Sequence, residues 1–191
     1  MNRSSADRLL SANGLDESKP YLLLAPWASA QARTYPAERF AVAARDLSRH
    51  AGLRVVVTGS TKDVAGSGEM LNVLDGRAVN LVGMTTVGEL AALVKSAKLV
   101  LTCNSSAMHL ADAFRVPAIV LYSGTDCESQ WRPRVAPCAL LRRATPCSPC
   151  YAFTCPNHLE CLDIPPDEVL EAGIKLLEGT FGKTEDERLG S

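Results

Sequence analysis

Five short apolar runs, each followed by a segment of helical period, constrain the fold of this chain more than any other feature. The runs are Tyr21–Ala25, Leu53–Thr58, Val79–Val82, Lys98–Cys103 and Pro117–Tyr122. They are continuous rather than alternating, as expected of strands buried on both faces of a parallel sheet. Between them, Phe40, Ala43, Ala44 and Leu47 recur at helical spacing, as do Leu90, Leu93, Val94 and Ala97, and then Ala107, Leu110, Ala111 and Phe114. A further helix is expected over about Thr61 to Leu74, and a last one from Pro166–Asp167 through Val169, Ile174 and Leu177. Strict alternation of this kind predicts an α/β fold, a doubly wound, Rossmann-like parallel sheet built from right-handed crossovers. The common strand order 3-2-1-4-5 places strands one and four side by side at the crevice where ligands bind.

The small polar residues gather at that crevice. Asn104-Ser105-Ser106-Ala107-Met108-His109 lies where the fourth strand stops and a helix begins, so unpaired N–H groups and the helix dipole favour an anion there. Ser105 and His109 are four apart and share a side of that helix. The loop after the first strand carries Ser29 and Arg33; Gly59 to Asp63 follow the second strand and Gly83 to Thr86 the third. Singly, each has an ordinary explanation: Ser105 as an N-cap, the glycines as strand ends, Arg33 as a solvated cation. Together on one rim they point to a site for a phosphorylated ligand. Neither a GxGxxG turn nor a Walker-type loop occurs, which weakens a dinucleotide or P-loop ATPase assignment.

Composition narrows the classes. The 191 residues are 47% apolar with a formal net charge of −1, which fits one folded domain and indicates neither disorder nor a nucleic-acid surface. No run approaches the roughly 20 apolar residues that span a bilayer, and no signal-like apolar core stands near the start. A cytoplasmic protein is expected, peripheral at the inner membrane at most, with an odd count of seven cysteines kept reduced.

Three blocks of residues carry a resemblance to a known family. They are Pro26-Trp27-Ala28-Ser29 with Arg33-Thr34-Tyr35-Pro36, then Asn80-Leu81-Val82-Gly83-Met84-Thr85-Thr86 leading into Glu89-Leu90, and Asn104-Ser105-Ser106-Ala107-Met108-His109-Leu110-Ala111-Asp112-Ala113. In order and spacing the chain resembles, from about Tyr21 to its last helix, the C-terminal half of glycosyltransferase family 9. That family comprises the ADP-heptose:lipopolysaccharide heptosyltransferases and their relatives, with a two-domain GT-B fold. The resemblance implies a domain that binds a nucleotide-diphosphate sugar donor for inverting transfer to a lipopolysaccharide or related glycan acceptor, with no cofactor required. It implies that Ser29 and Arg33 contact the diphosphate and Asp63 the ribose. Thr85 would lie near the base, and Asn104, Ser105, Ser106 and His109 beside the phosphates and sugar. Arg33 stands in place of the family's lysine, Asn104 in place of an aspartate, and Trp27 and Ser106 in place of glycines. In such enzymes the acceptor site and carboxylate base belong to an N-terminal domain of comparable size. Residues 1–19 are therefore expected to be an interdomain helix and linker, 20–182 the nucleotide-sugar-binding domain and 183–191 a polar tail, with an isolated half binding donor but transferring nothing.

Cys147-x2-Cys150-x4-Cys155-x5-Cys161, in a Pro-rich loop over 146–162 that also holds His158, has soft ligands enough for a structural Zn²⁺. Packed reduced thiols and disulfides are the alternatives. A nonenzymatic nucleotide-binding domain and a metal-held interaction module are the rival functional classes.

Overall fold

The computed structural model describes residues 3–16, 19–76 and 78–179. The strands are β1 (Tyr21–Ala25), β2 (Arg54–Gly59), β3 (Ala78–Val82), β4 (Leu99–Cys103), β5 (Ala118–Leu121) and β6 (Cys138–Leu141). All pair in parallel, in the order β3-β2-β1-β4-β5-β6, so the expected order is found with one further strand on the β5 side. Leu23 sits level with Val56 on one side and Val100 on the other, which fixes the register at the centre of the sheet.

Successive residues of each strand enter different cores. Leu22, Leu24, Val55, Val57, Leu99 and Leu101 face α2 (Ala37–Ala51), α3 (Gly68–Val73) and α7 (Pro166–Leu177). Tyr21, Leu23, Val56, Val79, Val100 and Val120 face α1 (Arg3–Ala12), α4 (Val87–Ser96) and α5 (Ser106–Phe114). With both faces covered, neither phase of the strand period is left for polar residues, and this is why the runs read as unbroken. On the first face α7 approaches closely because residue 173 is glycine. A Cβ there would lie 2.3 Å from Leu47 Cδ2 and 3.0 Å from Ile119 Cδ1.

One expectation is revised. The segment over Thr61 to Leu74 is not one helix: a 3-10 turn at Thr61–Asp63 is separated from α3 by turns. Gly66 and Gly68, with Ser67 between them, cost helix propensity where a continuous helix would need it. A helix is found within residues 1–19, where one is expected: α1, whose Ala6 and Leu10 are buried in the second core, while the Ser5 hydroxyl donates to the Glu89 carboxylate. The polar tail 183–191 lies outside the described residues.

Asp112 on α5 ties down the connection into β6. Its carboxylate accepts backbone N–H bonds from Arg134 (3.0 Å), Val135 (2.8 Å) and Ala136 (2.9 Å). Burial alone would raise its pKa, but these bonds outweigh burial and hold it below the usual value. A depressed pKa in the folded state gives stability present above the unfolded-state pKa and lost as pH falls through the folded one. Asp112→Asn is therefore expected to destabilise the fold by about 1 kcal/mol at neutral pH, the lower end suited to partly exposed bonds. Urea melts across the acid range check this. The gap between variant and wild type should close as the wild-type carboxyl protonates.

Candidate functional site

A cavity of about 940 Å³ opens at the carboxyl ends of the strands. It is the crevice of a doubly wound sheet, reached because β1 and β4 are neighbours whose crossovers leave on opposite faces. All eight residues expected at a donor site line it: Ser29 and Arg33 after β1, Asp63 after β2, Thr85 after β3, and Asn104, Ser105, Ser106 and His109 after β4.

On the β1 side, a 3-10 turn over Gln31–Arg33 delivers the guanidinium. Arg33 Nη2 donates to Asp126 Oδ1 at 3.3 Å, while its Nε is buried and has no protein partner. Beneath it, the Trp27 ring lies where only glycine is tolerated on β2. A Cβ on Gly59 would come within 2.6 Å of the indole.

On the β4 side, Thr102 Oγ1 donates to the Ala25 carbonyl at 2.8 Å and lies 3.1 Å from Ser105 Oγ, locking the two strand ends together. Ser105 occupies the N-cap position of α5 with extended backbone, but its side chain makes no capping bond. The ordinary explanation for that serine is thereby removed, and its hydroxyl leaves the first-turn amides to another acceptor. Asn104 is buried and satisfied at both ends of its amide: Oδ1 accepts from Ser123 N–H at 3.2 Å, and Nδ2 donates to Asp126 Oδ2 at 3.0 Å. Cys103 is buried beneath, and burial pushes its thiol up to about 12, so it has no role as a thiolate.

Asp63 Oδ2 accepts from Ser60 N–H at 2.8 Å and from Ser60 Oγ at 2.7 Å, forming a capping box that keeps the carboxylate at the cavity wall. Nearby, the Thr58 hydroxyl is buried and without a protein partner. Thr86 caps α4, and a hydrogen bond from Ser5, with further bonds from Thr86, brings its partner Glu89 down to about 2.

Two cavity residues were not legible in advance. Asp126 joins Arg33, Asn104 and Thr125, the last through Oγ1 at 3.1 Å. Trp131 meets the His109 ring edge-on at 6.0 Å between centroids. The signal for Asp126 was its place just after the fifth strand, on the same rim as the other loops. Trp131 carries no sequence signal, since α6 (Glu128–Trp131) is one turn long.

The Cys-rich loop straps the walls of the site. Ala32 N–H donates to the Phe153 carbonyl and Cys155 N–H to Gln31 Oε1; Cys150 and Tyr151 N–H groups donate to Gly124 and Thr125 carbonyls. Thus one segment holds both the Arg33 turn and the stretch leading to Asp126. The four cysteines expected as metal ligands, Cys147, Cys150, Cys155 and Cys161, all lie in this loop, and Cys147, Cys150 and Cys155 are electrostatic neighbours of Cys161. Among the described residues no three His, Cys, Asp or Glu side chains are grouped to hold an ion. Cys161 Sγ is buried and accepts from Gly124 N–H at 3.3 Å. Cys155 Sγ accepts from Asn157 and Leu159 N–H groups at 3.4 Å, while Cys147 and Cys150 are exposed. All seven cysteines are free thiols in this structure.

The family model for glycosyltransferase family 9 (heptosyltransferase) matches residues 1–160. The chain belongs to glycosyltransferase family 9. It is 28% identical over 174 residues to lipooligosaccharide heptosyltransferase 2 of Campylobacter jejuni, covering 87% of this chain and 54% of that protein. Its fold is similar to that of the family 9 glycosyl transferase of Veillonella parvula, with a TM-score of 0.81 at 22% identity, covering 93% of this chain and 51% of the other. It is similar also to ADP-heptose LPS heptosyltransferase II of E. coli, with a TM-score of 0.76 at 23% identity, covering 92% and 52%. The chain thus spans about half the length of the family 9 relatives it matches. No helix among the described residues is long and apolar enough to cross a membrane.

Proposed function

We propose that this family 9 domain is the donor-binding, C-terminal half of a GT-B heptosyltransferase. It would hold a nucleoside-diphosphate sugar, ADP-heptose being the best candidate, for inverting transfer to a lipopolysaccharide or related glycan acceptor. The observation that carries it is the meeting of Arg33 and the uncapped first turn of α5 across one cavity. In sugar transfer from such a donor, negative charge builds on the departing diphosphate. A guanidinium and a helix N-terminus fixed beforehand stabilise that charge more in the transition state than in the ground state. The nucleoside would then lie toward the β2 and β3 loops, with the ribose near Asp63 and the base near Thr85. The sugar would project past Asn104, Ser106 and His109. We assign the acceptor and the carboxylate base to a second domain, so the 191-residue chain alone binds donor without transferring its sugar.

Titration calorimetry of the chain with adenosine, AMP, ADP and ADP-heptose tests this. Affinity is expected to rise as phosphates are added, by about tenfold or more from AMP to ADP, because each charge-assisted contact contributes about 1.5–3 kcal/mol. Heat with none of these, nor with UDP-sugars, would reject a donor site.

A further inference from the structure

The two ends of the cavity differ in chemistry. Beyond β2 and β3 it is lined by Val87, Leu90 and the hydroxyls of Thr85 and Thr86. Beyond β5 it is lined by the Asp126 carboxylate and the Trp131 indole, with Asn104 donating to Asp126 just before the first turn of α5. We propose that Trp131 and Asp126 form the corner that reads the donor sugar, Trp131 covering an apolar ring face and Asp126 accepting from hydroxyls. The inference rests on the donor-site assignment above and adds to it the residues that distinguish a sugar-bearing diphosphate from a bare one.

Trp131 is 55% exposed, on a helix too short to pack into either core. Its ring stands edge-on to His109, with 6.0 Å between the centroids and 65° between the planes. A sugar ring in the chair form has C–H groups on its faces and hydroxyls at its rim. A flat indole complements the first, and a carboxylate with a neighbouring amide complements the second. Asp126 has the capacity: Oδ2 accepts from Asn104 and Thr125, whereas the bond recorded at Oδ1 is that from Arg33. Its charge also disfavours the extra negative charge of a terminal phosphate, so a diphosphate esterified by a sugar suits this end better than a free one.

The test compares ADP and ADP-heptose binding by calorimetry for wild type, Trp131→Ala, Trp131→Phe and Asp126→Asn. Wild type is expected to bind ADP-heptose more tightly than ADP. Trp131→Ala should weaken ADP-heptose by about tenfold, the scale of one good aromatic contact, and leave ADP close to wild type. Trp131→Phe should retain most of the difference. Asp126→Asn should lower the ratio of the two affinities whatever it does to the shared phosphate grip. The corner is overturned if Trp131→Ala binds ADP-heptose as wild type does, or weakens both probes equally. Wild type that binds ADP but gains nothing from the heptose also overturns the corner, and leaves the nucleotide site standing. Wild type that binds neither probe refutes both.

Discussion

Arg33→Ala is expected to weaken ADP binding by about 1–3 kcal/mol, from roughly fivefold to more than a hundredfold in affinity. Two effects act in the same direction. The variant loses a cation whose buried Nε has no protein partner and which lines the cavity. It also strips Asp126 of the counter-ion now 3.3 Å away, leaving a carboxylate facing a diphosphate. The second effect can be separated from the first. In an Arg33→Ala, Asp126→Asn double variant the repulsion is gone, and part of the lost affinity should return. Arg33→Lys should fall between, since it keeps the charge but not the planar fork that can hold a carboxylate and a phosphate at once. Calorimetry on the four proteins, with circular dichroism to confirm folding, reads all of this. An affinity unchanged in Arg33→Ala would remove the guanidinium from the site.

Phe40→Ala is expected to cost about 3–5 kcal/mol of stability, the scale for emptying a large aromatic from a packed core. Phe40 is fully buried on α2, and its ring meets that of Tyr35 edge-on, 4.9 Å between centroids and 83° between planes. Tyr35 in turn donates its phenol to the Ile164 carbonyl at 2.5 Å, just before α7. Burial pushes that phenol up to about 12, so it remains a donor throughout the working range. The pair therefore joins the end of the Arg33 turn to α2 and α7. Tyr35→Phe should cost less, about 1–3 kcal/mol, because the ring contact persists while a buried carbonyl loses its partner. Equilibrium urea unfolding distinguishes the two. A loss for Phe40→Ala no larger than that for Tyr35→Phe would mean that the cavity collapses or that the ring bears little of the packing.

What the sequence made legible follows from local physics. Each strand is a run of apolar residues because both faces are covered, and each helix repeats its apolar positions toward one face, so order and crevice could be inferred. The eight residues expected at a donor site converge on one cavity because strand-end loops in such a sheet all open on one rim. Where only side-chain direction or distant pairing decides, the sequence is silent. Arg33 and Asp126 are 93 positions apart and Asn104 and Asp126 22, and neither pairing has a local signature. The expected helix from Thr61 failed because Gly66 and Gly68 favour turns there. The cysteine spacing suits a metal, but the hydrogen bonds of the individual sulfurs have no local signature. Backbone amides engage Cys155 and Cys161, while Cys147 donates to Thr145 Oγ1 and Cys150 is exposed. That Ser105 would hold the cap position without capping is likewise a matter of rotamer, set by Thr102.

The most direct measurement is a crystal structure of the chain with ADP. The diphosphate is predicted to lie within hydrogen-bonding distance of the Arg33 guanidinium and of the first-turn amides of α5, with the nucleoside directed toward Asp63 and Thr85. A diphosphate bound elsewhere, or Arg33 still engaged with Asp126 alone while ADP occupies the cavity, would contradict the assignment.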